Sequence, residues 1–161
     1  MRSGVNSYSI MGAVGDFNGY PVNHGYTVNE MALNRYISVF DKAIDQYGRL
    51  FVFRIDLRFP VGFKLTPECE SRLIERFIAS FVAKVRHNRA IAKKLNKQAH
   101  DTVVRYCWTC EYTGEMPHYH FVFFLNRDAF NTLGKFNTQG NNLYSRLVEA
   151  WASALGIAAE E

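Results

Sequence analysis

Two histidines, His118 and His120, stand one residue apart at the head of an apolar run, MPHYHFVFFLN, residues 116–126. On an extended strand alternate side chains share a face, so the two imidazoles stand side by side while Tyr119, Phe121, Phe123 and Leu125 point the other way, into a core. Neutral imidazoles held like this can bind a divalent cation, with a carboxylate from a neighbouring strand as the natural third ligand. Glu111 and Asp56 are the eligible acids. Glu111 joins the histidines only if the pairing register sets it opposite one of them, because a one-residue slip turns every side chain over. The plainer reading, two half-exposed surface histidines, is the one that spacing alone favours.

The elements that must position these groups follow from periodicity. Apolar Met31, Leu33, Tyr36, Ile37, Phe40 and Ile44 recur at helical spacing from Asn29 to about Tyr47, where Gly48 offers a stop. LFVFRIDLRF, residues 50–59, alternates between an apolar face and a face carrying Arg54, Asp56 and Arg58, and Pro60 ends it. Thr66-Pro67-Glu68 has the order of an N-cap, a first-turn proline and an acidic first turn. The helix it opens buries a stripe of Leu73, Ile74, Phe77, Ile78, Phe81, Val82 and Val85. Residues 102–112 read as a second strand, TGEMP as a turn and HYHFVFFL as a third strand, so the last two form a hairpin. Asn126 is expected to cap a short helix through Leu133, with Gly134 as its stop, and Leu143, Leu147, Val148, Trp151 and Leu155 mark a final helix ended by Gly156.

The expected fold class is therefore α+β, a ferredoxin-like split β-α-β-β-α antiparallel sheet with helices on one face, an extra N-terminal helix and the final strand missing. Residues 1–28, rich in Gly, Asn, Ser and Tyr, read as an irregular arm, and 29–161 as a single domain. Either the arm supplies the missing strand or one sheet edge is left uncovered. No apolar run is long enough to cross a bilayer and the N-terminus lacks a signal-peptide core, so a cytoplasmic protein without a membrane partner is expected. Three cysteines are an odd number for a disulfide framework. The spacing of Cys107 and Cys110 puts them on opposite faces of a strand, which favours structural thiols over metal ligands.

Net charge is +4, but it is unevenly placed. Between Arg76 and His100 lie Arg76, Lys84, Arg86, Arg89, Lys93, Lys94 and Lys97 with no acid, a local +7 that leaves −3 for the rest. Such asymmetry suits a polyanionic partner, and equally a solvated helix face.

The H-x-H strand in this order of elements resembles the second motif of the HUH endonucleases, the initiators and relaxases of rolling-circle replication and plasmid transfer. FRIDLRFP, the W-x-x-E of Trp108 to Glu111, HYHFVFFLN-x-x-A-F and EAWASALG together are similar to the inovirus gene-two-protein family, also called the YagK/YfjJ C-terminal domain family, of phages and prophage elements. The matching blocks span residues 51–156. The resemblance implies a replication-associated protein whose partner is DNA, single-stranded or origin DNA, with host replication proteins as further partners. It implies a Mg²⁺ or Mn²⁺ ion on His118, His120 and a third polar residue, and a tyrosine that attacks the polarised phosphate to leave a 5′-phosphotyrosine and a free 3′-hydroxyl. Arg54 and Arg58 would orient phosphates, the basic helix would track the backbone, and Tyr106 or Tyr112 would stack bases.

The chain also departs from that pattern. HUH enzymes carry their nucleophile in a Tyr-x-x-Lys-type motif downstream of the histidines, and here Tyr144 is the only downstream tyrosine, followed three residues later by Leu147. Tyr144 is the candidate nucleophile, yet it shares a helical side with Val148, Trp151 and Leu155 and reads as core or rim. The expectation is a replication protein truncated before its third motif and inactive in nicking by itself. A non-catalytic DNA-binding or regulatory module and an inactive prophage remnant stand beside it.

Overall fold

Alternating strands and a long striped helix each leave one apolar surface that can be buried only against the others. The computed structural model describes residues 10–11, 15–23, 28–113, 116–137 and 140–159. The chain divides into two units, Met1–Lys42 and Ala43–Glu161.

In the first unit, β1 (Ile10–Met11) pairs antiparallel with β4 (Val28–Asn29), and β2 (Asp16–Phe17) with β3 (Tyr20–Pro21). The β2–β3 turn is Asn18-Gly19, both at positive φ (53° and 83°), the conformation that matches the twist of a two-residue hairpin. The described part of the N-terminal stretch thus holds two short antiparallel pairs. Helix α1 (Glu30–Tyr47) runs across the division; Asn29 Oδ1 accepts the Ala32 amide at 2.9 Å to cap its start, and Gly48, at φ 66°, follows its end.

The second unit has the order β5 (Leu50–Leu57), α2 (Pro67–Leu95), β6 (Arg105–Thr113), β7 (Met116–Asn126) and α3 (Leu143–Leu155). The sheet order is β5-β7-β6 with both pairings antiparallel, the arrangement of a split β-α-β-β-α unit. Among the described residues no strand follows α3, β5 and β6 are the edges of this sheet, and no helix is long and apolar enough to cross a membrane.

Packing assigns the two faces of the sheet. Leu73, Phe77, Phe81 and Val85 of α2 and Phe121, Phe123 and Leu125 of β7 are all fully buried. Their rings meet edge to face, Phe77 on Phe121 at 5.3 Å and Phe81 on Phe123 at 5.1 Å, the geometry that the ring quadrupole favours. Leu143, Leu147, Ala150, Ala154 and Leu155 of α3 complete the same cluster. Trp151 stands edge-on to Phe77 at 5.8 Å, and its indole N–H donates to the Arg58 carbonyl at 2.8 Å, tying α3 to the end of β5. Helix α3 is closed at both ends, by a reciprocal Asn142–Ser145 capping box and by Gly156 in the left-handed conformation.

The expected helix from Asn126 to Leu133 does not form. Residues 127–129 make one turn and the chain then runs irregularly to Lys135. Asn126 does cap that one turn, its Oδ1 accepting the Asp128 amide at 3.0 Å, and it also pins the end of β7: its Nδ2 donates to the Asp101 carbonyl at 2.8 Å and its amide to Thr102 Oγ1 at 2.9 Å. The Arg89 guanidinium lies 4.3 Å above the Phe130 ring and donates to the Ala129 carbonyl at 3.1 Å, a long-range tie that holds the segment after the turn against α2. The same Thr102 contact holds 101–104 in a loop, so β6 starts three residues later than the expected 102.

Phe123→Ala is expected to cost about 3–5 kcal/mol in denaturant unfolding, since it empties the centre of this cluster. Leu95→Ala, at a position 84% exposed, should stay within about 0.5 kcal/mol.

Candidate metal centre

Because Tyr119, Phe121 and Phe123 face the helices, the pleat turns His118 and His120 to the other side of the sheet. The pairing register decides which acids join them. Glu111 lies directly opposite His118 on β6, and Asp56 directly opposite His120 on β5. Thr109, opposite His120 on β6, shares this face, a neighbour that only the register reveals.

Glu111 Oε2 is 3.2 Å from His118 Nε2 and 3.2 Å from His120 Nε2. The rings stand at 88° with centroids 4.7 Å apart. One ligand atom from each of Glu111, His118 and His120 falls within 4.8 Å of the others. Ligands about 2.1 Å from a shared ion lie about 3.0–3.4 Å from one another in octahedral or tetrahedral coordination, so the two Glu111–imidazole separations have the spacing of a shared divalent cation. Two imidazoles and one carboxylate also form the borderline donor set suited to Mn²⁺, Zn²⁺ or Fe²⁺. With protons on the ring nitrogens, the same 3.2 Å contacts are hydrogen bonds to Glu111.

Asp56 lies behind this group. Its Oδ1 is 2.7 Å from His120 Nδ1, and Arg54 Nη2 is 2.8 Å from the same nitrogen. A carboxylate oxygen only accepts and a guanidinium only donates, so Nδ1 cannot bond both. Asp56 is held below the usual carboxylate range by the His120 hydrogen bond first and the Arg54 bonds second, so it is ionised and Nδ1 carries the proton. Arg54 then serves Asp56, through Nε to Oδ1 at 3.0 Å and Nη2 to Oδ2 at 3.3 Å. With Nδ1 protonated in this way, Nε2 donates to Glu111 while it keeps its own proton and offers a lone pair once that proton is lost, the role of a carboxylate partner standing behind a ligating histidine. Of the two acids left open by the sequence, Glu111 stands with the ring nitrogens and Asp56 orients one of the rings.

Burial and charge reinforce this division. The imidazoles are shielded, at 11% and 14% side-chain exposure, whereas Glu111 is 62% exposed and can move onto an ion. Glu111 is also held below its ordinary value, by the His120 hydrogen bond foremost, and His120 is raised, by Asp56 first and then Glu111.

The remaining sequence candidates are dispersed. Arg58 is exposed, and its carbonyl takes the Trp151 bond. Helix α2 covers the opposite face of the sheet, so the basic stretch does not border the histidines. Lys84 binds Glu149 at 2.5 Å, Lys93 binds Asp101 at 2.7 Å and Arg89 is spent on Phe130 and backbone carbonyls, while Arg76, Arg86, Lys94 and Lys97 are exposed. Tyr144 stands on α3, in edge contact with Phe136 at 5.0 Å, with the sheet between it and the imidazoles. Tyr106 and Tyr112 face the helix side of β6, and the Tyr112 hydroxyl donates to Glu70 at 3.0 Å. Cys107, opposite Val122, and Cys110, opposite Tyr119, lie on opposite faces, and burial raises both thiols.

The profile of the YagK/YfjJ C-terminal domain matches residues 15–161. The chain is 30% identical over 133 residues to the uncharacterized protein YfjJ of Escherichia coli K12, an alignment covering 77% of this chain and 64% of YfjJ. It is 29% identical over 120 residues to the uncharacterized protein YagK of the same strain, covering 70% of this chain and 57% of YagK. The chain thus spans roughly three-fifths of the length of these relatives. No solved structure matches it.

The electrostatic assignment has a measurable sign. The raised His120 value stabilises the fold below the ordinary imidazole pKa, and that contribution is lost as pH rises through the folded value; the lowered Asp56 and Glu111 values stabilise above the ordinary carboxylate pKa and are lost as pH falls through theirs. In metal-free protein the stability difference between wild type and Asp56→Asn should therefore peak between the carboxylate and His120 titrations and shrink above the latter. Imidazole NMR should show His120 titrating above its ordinary value in the wild type and moving back toward it in Asp56→Asn.

Proposed function

The chain belongs to the YagK/YfjJ C-terminal domain family, and from that membership and the geometry of the histidine face we propose that it is a DNA-binding replication protein of a mobile element with a divalent metal centre of the HUH type. The observation that carries this reading is the placement of Glu111 Oε2 at 3.2 Å from both Nε2 atoms. Glu111, His118 and His120 hold Mg²⁺ or Mn²⁺, and Asp56 with Arg54 keeps His120 in its ligating tautomer. When bound, the ion supplies Lewis-acid polarisation of a DNA phosphate and neutralises charge developing on it. The imidazoles, shielded by the sheet, supply rigid positioning; the exposed side of Glu111 leaves room for the phosphate.

Nicking by this route requires a tyrosine oxygen to attack phosphorus, the bond from phosphorus to the 3′-oxygen to break, and the departing oxygen to take up a proton, leaving a 5′-phosphotyrosine. Tyr144 cannot be that nucleophile on the same chain, because the sheet separates it from the histidines. Its position favours a second reading, a module that binds metal and DNA without cutting. DNA is held in either case through the exposed cations of the α2 region, Arg86, Lys94 and Lys97, by contacts that carry no sequence preference.

Calorimetry is expected to find one Mn²⁺ per chain, binding abolished by His118→Ala with His120→Ala and weakened about 10–100-fold by Asp56→Asn. Unchanged Mn²⁺ binding in the double variant would sink the metal reading. Incubation with Mn²⁺ and labelled single-stranded DNA separates the two readings: a covalent adduct supports nicking, whereas metal-independent, salt-sensitive binding without an adduct supports the non-cutting module. Charge reversal at Arg86, Lys94 and Lys97 should weaken binding to unrelated sequences alike. It should also flatten the log–log salt slope by about 0.7–0.9 for each phosphate no longer neutralised.

A further inference from the structure

Among the described residues, two cavities open on the helix side of the sheet. The larger, about 820 Å³, lies between α2 and β6 and is lined mainly by apolar side chains such as Ile78 and Trp108. The other, about 570 Å³, lies between α2 and the start of α3, and polar side chains of Lys84, His87, Asn88, Asn141, Arg146 and Glu149 stand in its lining.

The charges of this second cavity do not balance. Arg146 is only 8% exposed, yet its guanidinium hydrogen-bonds a neutral acceptor, Asn141 Oδ1. A guanidinium has five donors, and among the described residues Asn141 is the hydrogen-bond partner of Arg146, which lines the cavity. Glu149 is the one carboxylate in the lining, and Lys84 already holds it at 2.5 Å. Burial disfavours the Arg146 charge most, Glu149 partly offsets that, and Arg89 opposes it again. Lys84 and Arg146 thus share a single acid, with the amides of Asn88 and Asn141 beside them. A buried cation without a carboxylate of its own is costly, and an anion bound against it offsets that cost.

The geometry points to a phosphate-binding site at this cavity, with Arg146 as its anchor and Lys84 and Asn88 as flanking donors. It goes beyond the metal centre, which lies across the sheet. Arg guanidinium is suited to two-pronged contact with phosphate oxygens, and the volume admits a nucleotide as readily as one phosphate of a DNA strand.

The test uses the full chain without divalent metal, titrated with inorganic phosphate and followed by the Arg146 Nε–H resonance and by thermal melting. Phosphate is expected to shift the resonance and raise the melting temperature. Arg146→Gln should weaken binding at least about tenfold, and Glu149→Gln, which removes the competing acid, should strengthen it about threefold to tenfold. A purely structural Arg146 would show no gain in Glu149→Gln, and that variant keeps the test decisive if Arg146→Gln fails to fold. Lys64→Gln, exposed and outside the cavity, and His118→Ala with His120→Ala should leave the response unchanged, so failure here is distinct from failure of the metal centre. Titration with a deoxynucleoside monophosphate and with an oligonucleotide then assigns the source: a response to the monophosphate equal to that of the oligonucleotide marks a free nucleotide, and a stronger response to the oligonucleotide marks the DNA backbone. No phosphate-dependent shift, no gain in Glu149→Gln, or a response that survives Arg146→Gln overturns the proposal.

Discussion

The burial of alternate aromatic residues along β7 is the constraint on which the rest of the second unit depends. Phe121 and Phe123 are fully buried against Phe77 and Phe81 of α2, and β7 is paired on both sides, so it can neither slide nor turn over without exposing that surface. Everything polar on the strand is then committed to the other face. His118 and His120 are side by side there because the hydrophobic effect acts on their neighbours.

That constraint also explains how three strands supply one site. β6 and β5 bring Glu111 and Asp56 to the two sides of the histidine strand, each opposite one imidazole. The two acids then differ by environment. Asp56 is engaged by Arg54 and by the Nδ1 proton of His120, whereas Glu111 stands more exposed beside the two Nε2 atoms. One acid sets the ring's tautomer and the other completes the donor set.

The sheet separates two kinds of chemistry. The histidine face gathers ligands and acids, while the helix face gathers cations, some paired and some exposed. The seven basic residues of the α2 region therefore do not act as one patch: Lys84 and Lys93 hold acids, Arg89 braces Phe130, and Arg76, Arg86, Lys94 and Lys97 are exposed. A partner that engaged both faces would have to pass round an edge of the sheet.

Periodicity and terminal residues were enough to place β5, α2, α3 and the β6–β7 hairpin, because alternation and helical stripes are local consequences of which side chains are apolar. Gly156 closed α3 for the same local reason. Asn18-Gly19 was also a legible hairpin signal, passed over within an otherwise unpatterned stretch. The helix after Asn126 stops at one turn, where Arg89, a residue 40 positions away, engages the Ala129 carbonyl and the Phe130 ring. Residue types alone thus determined that two imidazoles share a face and that acids were near enough to matter. Only the tertiary structure decided that Glu111 and not Asp56 stands at both Nε2 atoms, and that Tyr144 lies across the sheet, because register and layer order are set by long-range packing that no local pattern encodes.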